Sequence, residues 1–315
     1  MTETKYRPEG YLINTRENTE YLSSQQSLER AMREGRILEG NAVMCDPEMS
    51  VRVELGCMKG ILKKEDVAVC APGEEVKDIA VITRVGKPVC FMVTDITHDV
   101  YGAPVALLSR KLAQEECAKK FLSSLSPGDV VDARVTHLEH FGAFVDIGCG
   151  IVSLLSIDCI SVSRITHPRD RFRVGDDIKV VIKSIDRESG RIYVSHKELL
   201  GTWEENASRF SVGQTVAGIV RSVEDYGIFV ELAPNLAGLA EYKEGICVGQ
   251  RAAVYIKNMV RDRMKIKLVL IDSSCGSAPP EKMEYFLPAN GNHISYWRYS
   301  PEMCDKMIES NFDAS

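Results

Sequence analysis

The stretch VVDARVTHLEHFGAFVDI (residues 130–147) decides the fold, because a second version of it occurs later in the chain. That version is TVAGIVRSVEDYGIFVEL (residues 215–232), 85 positions further on and aligned without a gap. In both, Val, Ile, Phe and Tyr alternate with polar residues in short runs that Gly, Pro and Asp divide. A period of two is typical of half-buried β-strands. The sequence therefore predicts a β-rich unit that is repeated.

A second repeated block follows each copy. VGDDIKVVIKSID (residues 174–186) corresponds to VGQRAAVYIKNMV (residues 248–260), but at an offset of 74. The connection between the middle and last strands is thus expected to be 11 residues shorter in the later unit.

A weaker copy lies upstream of these two. VGKPVCFMVTDI (residues 85–96) resembles the second block, and two leading strands are expected over residues 35–45 and 49–56. The chain then has three units, and five short strands in each suit a small barrel that closes its own sheet.

The other segments flank or connect the units. KLAQEECAKKFLSSL has apolar residues at helical spacing and is followed by a Ser-Pro-Gly stop. We predict a mainly β fold of three tandem five-stranded barrels, joined by short helical linkers and followed by a small mixed tail. The expected segments are an amino-terminal, partly helical segment (1–34), a degenerate first unit (35–110), a helical linker (111–125), a second unit (126–200), a linker (201–210), a third unit (211–272) and a loop with an aromatic, acidic tail (273–315).

Composition and the pattern of apolar residues indicate where in the cell the protein is expected. A hydrophobic content of 44% is typical of a globular chain. The start, MTETKYRPEG, lacks the basic and then apolar pattern of a signal peptide, and no apolar run is long enough to span a membrane. We expect a cytoplasmic protein.

Motifs of common catalytic and cofactor sites do not appear. The sequence has no GxxxxGK[ST] phosphate loop, no GxSxG and no HExxH, and its cysteines form no CxxC pair. We expect neither an enzyme nor a metal or cofactor site.

The segment FGAF at residues 141–144 carries the main candidate site. In a regular strand, Ala143, Val145 and Ile147 share one face, which is expected to be the core. Phe144 then points outward, together with Asp146.

Gly142 adds a second ring to that outer face. A glycine tolerates the backbone angles of a bulge, and a bulge here would turn Phe141 to the side of Phe144. Two adjacent exposed rings form a platform for nucleobases, with about 1–3 kcal/mol of stacking per base. Periodicity alone equally allows both rings in the core, but the recurrence of Tyr226 and Phe229 around a glycine favours the platform.

GDVVDARVTHLEHFGAFVDIG, followed by VGDDIKVVIKSIDRESGRIYVSHK, resembles the S1 (S-one) RNA-binding domain family, named for the largest protein of the bacterial small ribosomal subunit. The resemblance is strong over residues 126–200, fair over 211–272 and weak over 35–110, and it does not extend to the tail. It implies an OB-fold barrel in each unit. It also implies an RNA-binding face with two aromatics on the second strand, a His or aromatic on the third, and an acid and a base near the start of the fifth.

The resemblance carries over onto particular residues. In the second unit the matching positions are Phe141 and Phe144 for the aromatic pair, Ser153 where the third-strand His usually stands, Asp186 for the acid and Arg191 for the base. In the third unit Tyr226, Phe229 and Lys265 keep the pattern, whereas Val260 replaces the acid and Glu241 stands near the His position. The first unit lacks an FGAF equivalent. We expect His137, His140 and Lys197 at the rim of the face.

The resemblance implies binding of single-stranded RNA, with messenger RNA as the ligand, in translation at the ribosome. It also implies the small ribosomal subunit as a partner. We expect a monomeric chain. The net charge of −6, with near-neutral second and third units, favours affinity from stacking as well as from phosphate contacts. An alternative is a protein–protein adaptor that docks through the first unit or the acidic tail. A regulatory RNA-binding partner of a ribonuclease or a transcription complex is another.

Overall fold

The computed structural model describes residues 6–70, 73–277, 283–287 and 292–313. These residues form three closed five-stranded barrels and one two-stranded sheet. The predicted mainly β fold of three tandem barrels is thereby confirmed. Within the described ranges, no helix combines the length and the apolar character needed to cross a membrane.

By its internal contacts the chain divides into two compact units, which are not the same as the three repeats of the sequence. The terms first unit and second unit refer to these two compact units below, and the repeats are called barrels. The first comprises the chain up to Leu125, together with Asp132–Arg134 and Asp146–Val152. The second comprises Ser126–Val131, Val135–Val145 and Ser153–Ser315.

The first barrel follows two capped helices. The side chains of Thr15 and Ser24 accept hydrogen bonds from backbone N–H groups in the first turns of α1 and α2. The elements are α1 (Arg16–Tyr21), α2 (Gln25–Glu34), β1 (Leu38–Cys45), β2 (Val51–Glu54), β3 (Lys59–Leu62), α3 (Asp78–Ile82), β4 (Pro88–His98) and β5 (Pro104–Ser109). The strand order is β1-β2-β3-β5-β4, and only β3 and β5 run parallel. The helix α3 between β3 and β4 was not predicted.

The second barrel begins after α4 (Arg110–Lys120), which Ser109 caps through its hydroxyl oxygen. Its strands are β6 (Val130–Glu139), β7 (Gly142–Asp146), β8 (Val152–Ser156), β9 (Asp177–Asp186) and β10 (Arg191–Ser195). The order is β10-β8-β7-β6-β9, with β10 parallel to β8.

The third barrel repeats this topology after α5 (Trp203–Ala207), whose amino end carries a capping box between Thr202 and Glu205. Its strands are β11 (Thr215–Glu224), β12 (Gly227–Ala233), β13 (Leu236–Ala240), β14 (Gln250–Val260) and β15 (Lys265–Ser277). The order is β11-β12-β13-β15-β14. The connection between the third and fourth strands spans residues 241–249 here and 157–176 in the second barrel, so it is 11 residues shorter, as the change of offset predicts.

The described part of the tail packs against the second and third barrels within the second unit. It contains a small sheet of β16 (Tyr296–Arg298) and β17 (Glu309–Asn311). Trp297 and Tyr299 join the core of the third barrel, and Phe312 packs with Val130 and Leu199 of the second. These three rings are committed to packing and are not free to bind a partner.

A buried ionic cluster joins the second and third barrels within the second unit. Arg171, from the connection that precedes β9, donates to both carboxylate oxygens of Glu231 on β12, one of them at 2.9 Å. Arg221 donates to the same oxygens at 3.0 and 3.1 Å. Only 3% of Arg171 and 5% of Glu231 are exposed. The Arg171 guanidinium is therefore an internal partner of Glu231 and not a free surface charge.

The register of β11 explains how Arg221 reaches this carboxylate. Val220 pairs with Val230 but Ser222 pairs with Phe229, so Arg221 is the extra residue of a bulge. A bulge re-aims a side chain that regular alternation would place elsewhere.

Asp146 is also buried, although alternation predicted an outward side chain beside Phe144. It accepts hydrogen bonds from the backbone N–H groups of Glu9 (2.7 Å), Gly148 (2.8 Å) and Gly150 (3.0 Å). Burial and the nearby Glu9 carboxylate raise the pKa of Asp146. The side chain leaves the barrel wall as predicted, but the amino-terminal segment covers it.

His196, directly after β10, is fully buried in the second unit. Its Nδ1 lies 2.9 Å from the carbonyl oxygen of Ile160, so Nδ1 carries the proton, and its Nε2 accepts from the Tyr285 hydroxyl at 3.3 Å. Burial lowers the pKa of His196 from 6.5 to about 4, because an imidazolium would lose its hydration there.

This burial predicts a pH-dependent stability. Between pH 6.5 and 4 the unfolded chain binds a proton at His196 that the folded chain does not, so stability falls as the pH falls through this window. From pH 7 to 4.5 we expect the wild type to lose about 2–3 kcal/mol more than His196→Gln. Both tryptophans, Trp203 and Trp297, are buried in the second unit, so urea unfolding followed by tryptophan fluorescence measures this directly. Equal losses in the two proteins would contradict the assignment, and exposed His137→Gln is the matched control.

Candidate nucleic-acid interface

A tight turn brings the first aromatic pair together. β6 ends at Glu139 and β7 begins at Gly142, so His140 and Phe141 form the turn between them. The rings of Phe141 and Phe144 meet edge to face, with centroids 6.0 Å apart and planes at 90°. Phe141 is 45% exposed and Phe144 is half-buried. The two rings thus share an open surface of the barrel.

The third barrel builds the same arrangement. Glu224 pairs with Gly227, which leaves Asp225 and Tyr226 in the turn. The rings of Tyr226 and Phe229 have centroids 6.1 Å apart and planes at 85°, and Tyr226 is 70% exposed. The bulge expected at the glycine is absent from this pairing, since the register shift lies on β11 instead. The turn position of the first ring, rather than a bulge, places it beside the second.

The glycines of the two pairs have a different role from the predicted one. A Cβ at Gly142 would lie 2.5 Å from the carbonyl oxygen of Leu155, and one at Gly227 would lie 2.5 Å from that of Ala240. Real Cβ contacts are not this short, so glycine is required because the third strand passes against the second.

Ser153 on the third strand was predicted to lie on the RNA-binding face, and this prediction is wrong. Ser153 is buried, and its hydroxyl donates to the carbonyl oxygen of Ile192 at 2.5 Å. The next residue, Leu154, is half-buried and pairs with Tyr193 on β10. In the third barrel Leu239 takes this place and pairs with Phe229, whereas Glu241 follows the end of β13. Neighbouring residues of a strand point to opposite faces, so an error of one position exchanges the faces.

Tyr193 is a residue of this face that the sequence reasoning missed. It is 36% exposed and lies two positions after the exposed Arg191 on β10. Residues two apart on a strand share a face, so the alternation that places Arg191 outward would also have found Tyr193.

Asp186 and Arg191 face each other at the ends of β9 and β10. The Asp186 carboxylate accepts hydrogen bonds from Ser189 and from the backbone N–H of Glu188, at 3.0 Å for the latter. The hydrogen bonds from Ser189 lower the pKa of Asp186. Its place in the structure is therefore the cap of the β9–β10 turn, which holds the end of β10 that carries Arg191.

The expected rim residues fall into two groups. His137 stacks on Phe144 with centroids 6.2 Å apart, and His140 meets Phe141 edge to face at 5.3 Å. Both histidines are exposed. Lys197 lies in a separate 3-10 turn, where its carbonyl oxygen accepts from Asn235 at 2.9 Å.

One row of residues crosses the outer face of the third barrel. Phe229 pairs with Leu239, Leu239 with Lys267, and Lys267 with Asn258. Lys265 lies two positions from Lys267 on the same strand, and both are exposed. The aromatic pair and two cations therefore lie on one surface, about two strand spacings, or ~10 Å, apart.

Comparison with known proteins identifies a family for one part of the chain. Residues 124–197 match the S1 RNA binding domain family. The resemblance inferred from the sequence is confirmed for this S1 domain. The S1 domain contains the first aromatic pair, Tyr193 and Arg191.

Relatives of known name are similar over part of the chain. The small ribosomal subunit protein bS1 of Staphylococcus aureus is 41% identical over 143 residues, which are 44% of this chain and 36% of that protein. The bS1 protein of Leuconostoc lactis is 40% identical over 143 residues, 44% of this chain and 33% of that protein. The similarity thus spans about a third of the length of these relatives. A multidomain protein with nucleic acid binding domains from Streptococcus pneumoniae aligns over 75% of this chain and 73% of its own, with 17% identity and a TM-score of 0.24.

Proposed function

We propose that this protein binds single-stranded RNA on the outer faces of its second and third barrels. The observation that carries the proposal is the recurrence of one edge-to-face aromatic pair whose first ring is exposed, at 6.0 Å and 90° in one barrel and 6.1 Å and 85° in the other. Stacking on such rings accepts any base, so sequence specificity is low. Two linked sites also raise each other's effective concentration.

The names of the relatives extend the proposal to a role. Relatives called small ribosomal subunit protein bS1 support a role at the small ribosomal subunit, and we propose messenger RNA as the ligand and translation as the process. We propose a monomeric, non-enzymatic, cytoplasmic protein that associates with the small ribosomal subunit. This step rests on similarity rather than on the geometry of the site.

The test of RNA binding is a titration of a labelled, unstructured RNA of about 20 nucleotides with the whole chain, at several salt concentrations. Saturable binding that weakens with salt supports the proposal. No binding at the lowest salt concentration would rule it out.

Arg191→Ala tests one charge of the proposed face. Removal of one phosphate contact should reduce the slope of log K against log salt by about 0.7 and weaken binding by about 1 kcal/mol. Arg33→Ala, an exposed arginine on α2, is the matched control. If both variants behave alike, Arg191 does not contact RNA.

Protein docking by the first barrel is a second candidate function. Val100 and Tyr101, at the tip of the β4–β5 hairpin, are more than nine-tenths exposed. The β1–β2 turn of this barrel, residues 46–50, carries no aromatic residue. Pull-down of small ribosomal subunits by wild type but not by Val100→Ser/Tyr101→Ser would support this role, and equal capture would exclude the tip from it.

A further inference from the structure

The β14–β15 hairpin of the third barrel is strongly basic. Residues 257–267 carry five Lys or Arg side chains and one acid. The corresponding hairpin of the second barrel, residues 183–193, carries three against two, and residues 95–105 of the first carry none against two. Positive charge is therefore concentrated on one of three otherwise similar hairpins.

The basic side chains of this hairpin are exposed. Arg261 and Arg263 lie in a 3-10 turn at the tip, and Lys265 and Lys267 follow on β15. Among the described residues, none of these four forms an ion pair. Unpaired cations keep their full charge for a polyanion.

The tip is a hydrogen-bonded turn. Met264 closes the turn in the left-handed region, with φ of 49°, and its N–H donates to the carbonyl oxygen of Arg261 at 3.0 Å. The Met264 side chain packs against the core of the third barrel. The cations are thus presented from a defined loop.

The hairpin adjoins the aromatic pair of its own barrel. Lys267 lies in the same row as Phe229, with Leu239 between them. A base stacked on Phe229 brings its flanking phosphates within reach of side chains as long as lysine and arginine.

The second barrel differs at the matching positions. Tyr193 pairs with Leu154 there, as Lys267 pairs with Leu239 in the third barrel. Asp186 lies opposite Arg191, whereas Val260 lies opposite Lys265. The face of the second barrel therefore has an additional ring, Tyr193, and an acid, Asp186. The face of the third barrel has additional cations and no acid opposite Lys265.

We infer that the two barrels divide the work of RNA binding, the second supplying most of the base stacking and the third, through its β14–β15 hairpin, most of the phosphate contacts. The inference rests on the proposed function. It makes the third barrel, which the S1 family match does not include, the main source of salt-dependent affinity.

The experiment compares three variants of the whole chain with wild type, in the same RNA titration at several salt concentrations. The hairpin variant is Arg261→Gln/Arg263→Gln/Lys265→Gln/Lys267→Gln. Its control removes four exposed cations from the first unit, Arg33→Gln/Arg52→Gln/Lys59→Gln/Lys87→Gln, and so changes the net charge equally. The third variant is Phe141→Ala/Phe144→Ala/Tyr193→Ala.

We expect the hairpin variant to bind about 100-fold more weakly near 0.1 M salt, with a slope of log K against log salt that is smaller by about 2–3. The control should keep a slope close to that of wild type, and the aromatic variant should lose affinity with little change of slope. If the wild type binds RNA but the hairpin variant and its control have equal slopes, the division of work between the two barrels is wrong, while the proposed RNA binding stands. The division of work is also wrong if the slope of the aromatic variant falls as much as that of the hairpin variant. If the wild type does not bind RNA, the proposed function itself is refuted.

Discussion

We expect Phe141→Ala/Phe144→Ala to bind single-stranded RNA about 4 kcal/mol more weakly than wild type, roughly a thousandfold in Kd. Each ring offers a stacking surface worth about 1–3 kcal/mol per base, and the edge-to-face contact at 6.0 Å makes the two rings one surface. The half-buried Phe144 also stacks with His137, so its removal loosens the rim as well.

Three controls make this result specific. Tyr226→Ala/Phe229→Ala should weaken binding in the same direction, because the third barrel has the same ring geometry. Val100→Ala/Tyr101→Ala removes two more exposed apolar side chains in the first barrel and should leave RNA binding unchanged. Tryptophan fluorescence of each variant checks that the second unit is still folded, because Trp203 and Trp297 are buried in it. A folded double variant with wild-type affinity would refute the aromatic platform.

We expect Glu231→Ala to destabilise the second unit by about 3–5 kcal/mol. Its carboxylate is the shared partner of Arg171 and Arg221. Without it the buried Arg171 guanidinium loses its hydrogen-bonded counterion, and the half-buried Arg221 keeps only Asp170, at 3.7 Å. Burial already lowers the pKa of Arg171, which indicates how poorly this site tolerates an isolated charge. Urea unfolding followed by tryptophan fluorescence measures the change.

Two further variants separate the charge from the packing. Glu241→Ala, at an exposed glutamate of the same barrel, should change stability by less than about 0.5 kcal/mol. Arg171→Met/Arg221→Met/Glu231→Leu should recover most of the loss, because a neutral apolar cluster leaves no charge unpaired. The ionic explanation is wrong if the triple variant is as unstable as Glu231→Ala.

A buried amide also holds the third barrel against the second, in addition to the ionic cluster. Asn235, which is buried, accepts from the N–H of Val162 at 2.9 Å and donates to the carbonyl oxygens of Lys197 and Gly201 at 2.9 and 3.0 Å. Together with Glu231, it fixes the third barrel on the second within one compact unit. Preorganised sites lose less entropy on binding than flexibly linked ones.

The repeat explains why the fold could be predicted. Alternation fixes which residues of a strand share a face, and the 85-residue offset showed that one pattern of strands occurs twice. The aromatic pair was found for the same reason, since two aromatic rings recur around a glycine at the 85-residue offset. The exchange of Ser153 and Leu154 shows the limit of this reasoning, because one residue of uncertainty on a strand reverses the face.

Sequence alone determined the number and type of the barrels and the presence of an aromatic pair in two of them, because these depend on local periodicity and repetition. Only the tertiary structure decided what covers the outer faces. Asp146 and Glu231 occupy the same position of the repeat, and both point out of their barrels, yet each is buried by a segment distant in the chain. Alternation states which side of a strand a residue takes, but whether that side meets water, a neighbouring segment or a ligand depends on contacts between residues far apart in sequence.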